Sequence, residues 1–100
     1  METMIDVTKM CDKAIARVAN CHGFATLGDK DQQSLILLVL SDGKKRKESE
    51  IEHDIQLLMI DMSLEYLVRK KMIKRLGKYE WKGNNVKYMQ NKNGGKKNGK

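Results

Sequence analysis

No proline occurs anywhere in this 100-residue chain, and no glycine falls between Lys44 and Leu76. A stretch that long without either breaker is expected to be helical, and it hides where one helix stops and the next starts. Asp61 or Ser63 offers a cap for a new start; a single bent helix is the other reading. The missing proline also argues against an all-β sandwich with its many turns. The length allows one domain with one modest core. Apolar residues are 40% of the chain and aromatic ones only 5%, so that core must be aliphatic. The longest continuous apolar run, Leu35 to Leu40, is six residues, far short of the roughly 20 that cross a bilayer. No membrane association is expected. The opening residues show no basic region followed by an apolar one, so no secretory signal is expected. Two cysteines are too few for a disulfide scaffold, which points to a reducing compartment and a cytoplasmic location, nucleoid-associated in a bacterium or nuclear in a eukaryote.

Residues 4–22 read as an amphipathic helix. Met4, Val7, Cys11, Ala14, Val18 and Cys21 recur at heptad spacing, and Lys9, Asp12, Lys13, Arg17 and Asn20 fall on the other side. The stripe Val7, Cys11, Ala14 and Val18 suits either packing within the domain or pairing with a second copy as a homodimer. After the linker between Gly23 and Gly28, Asp29 with Gln32 three residues later forms a capping box. The run Leu35–Leu40 that follows is apolar all round, which predicts the buried centre of the core. Ser49 with Glu52 is a second capping box, and Ile51, Ile55 and Leu58 line one face beyond it.

A β-hairpin is expected over Lys78–Met89 with Gly83-Asn84 as its two-residue turn. That register sets Trp81 against Val86, Tyr79 against Tyr88 and Glu80 against Lys87. From Asn91 onward no apolar residue remains, so 91–100 is expected to be a disordered basic tail.

Charge is polarised along the chain. The net charge is +7 overall, but residues 69–100 hold twelve basic side chains and one acid, Glu80. Such a basic end suggests a polyanion as partner, because each phosphate contact releases counterions. The candidate phosphate contacts are Lys44, Lys45, Arg46 and Lys47 on one loop, then Arg69, Lys70, Lys74, Arg75, Lys78, Lys82 and Lys87. Asn84 and Asn85 stand at the expected hairpin tip, able to reach a groove.

The order helix, capped short helix, longer helix, basic hairpin resembles that of a winged helix-turn-helix domain. Leu64-Glu65-Tyr66-Leu67-Val68-Arg69-Lys70-Lys71-Met72-Ile73-Lys74-Arg75 looks like the end of such a domain's recognition helix entering its wing, with Lys71 where the family usually has glycine. The resemblance spans about residues 30–90. It implies an α+β, mostly helical fold: a single domain over 1–90, made of the N-terminal helix 4–22 and a core with wing over 29–90. It also implies a DNA-binding protein of the transcriptional or replication accessory kind, with duplex DNA as partner. Asp61 and Glu65 are expected to face outward on the recognition helix, where a carboxylate opposes phosphate.

Glu48, Glu50, Glu52, Asp54, Asp61 and Glu65 give the alternative, a protein-interaction module of the same fold, such as a phage-type inhibitor or adaptor docking on a basic partner. RNA binding is a third reading. Tyr79, Trp81 and Tyr88 can stack on bases, but one face of three aromatics on a hairpin is better read as core. Cys11 and Cys21, ten apart beside His22, lack the close ligand pairs of a zinc site and read as buried free thiols. His53 next to Asp54 has no nucleophile at a defined spacing. No phosphate-binding loop or nucleophile elbow is present, so neither an enzyme nor a cofactor is expected.

Overall fold

A computed structural model of the chain describes residues 5–83 and 85–92. Among them are three α-helices, α1 (Asp12–Ala19), α2 (Asp29–Val39) and α3 (Glu48–Arg69), followed by an antiparallel pair of strands, β1 (Ile73–Leu76) and β2 (Lys87–Gln90). Short 3-10 turns cover Val7–Lys9 and Phe24–Thr26. No helix among the described residues is long and apolar enough to cross a membrane.

Helix α3 organises the rest. Its 22 residues extend for about 33 Å at the usual rise, and the candidate cap at Asp61 or Ser63 starts nothing. Glu48, not Ser49, begins it. The Glu50 carboxylate accepts from the Lys47 amide at 2.7 Å, which puts the cap ahead of the box expected at Ser49. Ile55, Leu58 and Met62 of α3 meet Val7, Ile15 and Val18 from the N-terminal segment and Leu35 and Val39 from α2, forming an aliphatic core.

The expected helix over 4–22 is broken at Met10. Asp6 caps a single 3-10 turn, its carboxylate accepting from the Thr8 amide, and Cys11 is the N-cap of α1, its Sγ accepting from Ala14 at 3.4 Å. Cys11 is exposed and Cys21 half-buried, so the thiols are not the buried pair expected. The cause of the break lies far along the chain. Arg69, the last residue of α3, donates to the carbonyls of Val7, Thr8 and Met10, the last at 2.9 Å. Val7 also accepts from the Met10 amide within the 3-10 turn, while Thr8 and Met10 find the arginine where a helix would have given them backbone amides.

Helix α2 is less central than its composition predicts. Leu35 and Val39 are buried, but Leu37 is 69% exposed, because only one side of α2 reaches α3. Its N-cap is Gly28. The Gln32 side chain turns outward from the helix start and donates to the carbonyls of Phe24 and Leu27, both at 3.1 Å, tying down the preceding turn.

The hairpin exists, with a different register from the expected one. Arg75 pairs with Tyr88 and Leu76 with Lys87, so the first strand lies before Gly77 rather than over Tyr79–Trp81. The turn closes on Gly83, whose amide donates to Glu80 at 3.0 Å with Lys82 at φ 58°. A Cβ on Gly83 would lie 2.8 Å from that of Glu80. Asn84, half of the expected turn, lies outside the described residues, as does 93–100 of the expected tail. Asn91 still belongs to the hairpin, its amide donating to Met72.

Candidate nucleic-acid interface

The long connection from Gly77 to Val86 folds back along α3 instead of projecting into solvent. Three acids on one side of α3 organise this region: Asp61 and Asp54 hold the connection itself, and Glu65 holds β1 through Arg75. Glu65, 5% exposed, accepts from Arg69 Nε and Arg75 Nη2, each at 2.6 Å. One turn earlier Asp61 Oδ2 accepts from the Tyr79 hydroxyl at 2.7 Å. Two turns before that, Asp54 accepts from Arg46 Nε at 3.1 Å and Lys82 Nζ at 2.9 Å. Seven and eleven residues are two and about three helical turns, so Asp54, Asp61 and Glu65 fall on one stripe. The expectation that Asp61 and Glu65 face outward is therefore overturned: Glu65 is buried and Asp61 partly so.

Burial sets the electrostatics of this seam. It pushes the Asp61 carboxyl above its ordinary value, although the Tyr79 hydroxyl and the nearby Arg75 pull it back. The same burial, reinforced by Asp61, pushes the Tyr79 phenol up, so it stays a donor. Arg75 lies between two rings, 5.6 Å from the centroid of Tyr79 and 5.5 Å from that of Tyr88, and donates to the Tyr88 hydroxyl at 3.1 Å. Tyr79 and Trp81 pack on the core, so they are not free as a base-stacking platform.

Four of the candidate phosphate ligands are thus paired with carboxylates of the chain, three of them half-buried arginines and the fourth, Lys82, still 43% exposed. Arg46 is held twice, by Asp54 and by both oxygens of Asp42 at 2.9 and 2.7 Å. Its donated hydrogen bonds, with that of the Lys44 amide, hold the Asp42 carboxyl far below its ordinary value. Arg69 and Arg75 serve Glu65, and Lys82 serves Asp54.

The other candidates are at the surface. Lys44, Lys45, Lys47, Lys70, Lys74, Lys78, Lys87 and Asn85 are exposed, and none of these lysines makes an ion pair with another described residue. Lys70 Nζ lies 5.5 Å from the Tyr66 ring centroid. In the hairpin, Lys74 is directly opposite Met89 and Lys87 opposite Leu76; directly opposed residues share a face, so both lysines look outward, away from Arg75 and Tyr88. Asp54 brings the two basic segments together. By binding Arg46 and Lys82 at once it closes the 44–47 loop against the 77–86 connection, with a shallow pocket of ≈ 430 Å³ lined by Lys44, Lys45, His53 and Lys82 at the junction.

The N-terminal stripe behaves differently from the basic residues. Val7 and Val18 are buried in the chain's own core, while Cys11 is exposed and Ala14 half-buried. Among the described residues no three of His, Cys, Asp and Glu cluster as metal ligands. His53 is exposed on α3. No protein-family model, curated protein or solved structure matches the chain.

Proposed function

We propose that this chain is a small winged-helix-type protein that binds the phosphate backbone of nucleic acid, duplex DNA foremost. The observation that carries this reading is the junction at Asp54, which joins the 44–47 loop to the hairpin connection. Lys44, Lys45, Lys47 and Lys78 then belong to two neighbouring segments, and no carboxylate among the described residues pairs with their ammonium groups. Asp54, Asp61 and Glu65 are engaged by partners within the chain, whereas Glu48, Glu50 and Glu80 stay exposed near these lysines. Binding of this kind gives affinity with little sequence preference, because phosphates carry no base identity.

The adaptor reading is less well supported. Of the six acids it would present, Asp54 and Glu65 are buried in ion pairs and Asp61 holds Tyr79. Glu48, Glu50 and Glu52 remain exposed.

Replacing Lys44, Lys45, Lys47 and Lys78 together by alanine tests the proposal. Affinity for duplex DNA should fall for all sequences alike. The slope of log affinity against log salt should shrink by about 0.9 for each phosphate that a lysine no longer neutralises. Unchanged affinity overturns the proposal. Binding to RNA but not to duplex DNA would move the function to that class.

A further inference from the structure

Helix α3 has a second apolar side that the described residues leave partly open. Leu57, Ile60, Leu64 and Leu67 follow one another at spacings of three, four and three, the a/d pattern of a coiled-coil seam. They lie opposite Ile55, Leu58 and Met62, which fill the core. Ile60 at the middle is 54% exposed and its three neighbours are half-buried. Beside this seam runs an open, mostly apolar groove of ≈ 670 Å³, with Ile60, Leu64 and Leu67 on one wall and Cys21 and Phe24 on the other. A helix apolar on two sides is ordinarily covered on both.

Charge identifies what covers it. Glu52 and Lys70, the C-cap of α3, are both exposed and stand 18 residues apart, which is five whole turns, so they share one edge of the helix. Glu52 lines the groove. A parallel partner would bring opposite edges of the two helices together and leave Glu52 and Lys70 at opposite ends of the pair. An antiparallel copy of the same helix, turned about an axis near its middle, sets Glu52 of each chain against Lys70 of the other. The same axis faces Ile60 with Leu64 and Leu57 with Leu67 of the second copy, and the two helix dipoles oppose. A two-fold axis makes the contact self-complementary and closed.

We propose that two copies of this chain pair through the outer side of α3, antiparallel, with Ile60 at the centre and Glu52–Lys70 ion pairs at both ends. This surface is separate from the N-terminal stripe, whose valines are buried in cis, and it stands apart from the nucleic-acid reading.

Sedimentation equilibrium of the full chain without nucleic acid provides the test. The mass should rise with concentration from 11.5 kDa to twice that value. Ile60→Glu should weaken association at least about tenfold, equivalent to about 1.4 kcal/mol, with an unchanged circular-dichroism spectrum, since Ile60 is outside the core. Glu52→Lys alone should also weaken the dimer, by setting lysine against Lys70, and Glu52→Lys with Lys70→Glu should restore it. Both charge variants lie at the surface and keep the test open if Ile60→Glu misfolds. A wild-type chain that stays monomeric at its highest soluble concentration overturns the proposal and leaves this side to another occupant. A dimer untouched by Ile60→Glu, or a charge swap that restores nothing, overturns it as well.

Discussion

Lys82 Nζ lies 2.9 Å from Asp54 Oδ1, and Arg46 Nε reaches the other oxygen of that carboxylate at 3.1 Å. An aspartate with a side chain 6% exposed therefore holds two cations from segments some 36 residues apart. The pair has a structural part, because an unpaired charge at that depth is costly. It also has a positional part, because it sets the 44–47 loop beside the hairpin connection.

Asp54→Asn separates these effects. The variant should lose about 1 kcal/mol of stability in urea denaturation, since Arg46 keeps Asp42 and Lys82 is 43% exposed. It adds one positive charge to the chain, so net charge alone predicts tighter DNA binding. We expect weaker binding, by severalfold, in a salt titration beside the wild type. Tighter binding would show that the junction has no part in the interface.

Glu65→Gln should be more damaging. Arg75 is 11% exposed and has no other carboxylate within ion-pair distance among the described residues, so a loss of about 3 kcal/mol is expected. Asp31→Asn is the control. Its partner Arg17 is 54% exposed, and surface pairs of that kind contribute under about 1 kcal/mol. Equal effects of the two variants in thermal or urea denaturation would contradict the burial argument.

Lys71 occupies a position that suits glycine. Its φ is 64°, and the Met72 amide donates to Leu67 while that of Lys71 donates to Val68, the two bonds of a Schellman motif. A side chain in the left-handed region costs about 1 kcal/mol, so Lys71→Gly should stabilise the protein by roughly that amount. Lys74→Gly, placed in β1, should do the opposite. Thermal denaturation of the two variants beside the wild type checks both signs.

The pH dependence of stability should show two opposed contributions. Asp42 titrates below its ordinary value of 3.8 because Arg46 donates to it. Its stabilisation is thus present above pH 3.8 and is lost as pH falls through the folded value. Asp61 titrates above 3.8 because it is buried, so its contribution is present below that pH and is lost as pH rises through the folded value. Asp42→Asn should therefore shrink the gain in stability between about pH 3 and pH 7, and Asp61→Asn should enlarge it. Parallel urea curves at the two pH values check both directions.

Much of the architecture was legible from local signals. The absence of breakers marked α3, glycines bracketed the turn before α2, and alternation near Tyr88 marked a hairpin. What was not legible depends on partners distant in sequence. Gly83-Asn84 is a good hairpin turn by itself, but Tyr79 and Trp81 gain more by packing on the core and Lys82 by reaching Asp54, which moves the first strand to Ile73–Leu76. Val7, Cys11, Ala14 and Val18 are spaced for a helix, yet Arg69 claims the carbonyls that would have propagated it. The candidate interface was readable in its residue types and not in their roles. Arg46, Arg69, Arg75 and Lys82 differ from the exposed lysines only in being near Asp54 or Glu65, and basic character alone carries no sign of that.

The reach of Arg69 back to Met10 also orders events in time. Ile5 and Val7 belong to the core, but the carbonyls around Val7 are closed by a residue some 60 positions later in the chain. A ribosome delivers the N-terminus first. The segment around Val7 is made before Arg69 and must therefore wait for the end of α3 to close its carbonyls. Pairings of such wide separation are the slow ones to close. Residues 5–10 are therefore closed only once α3 is complete.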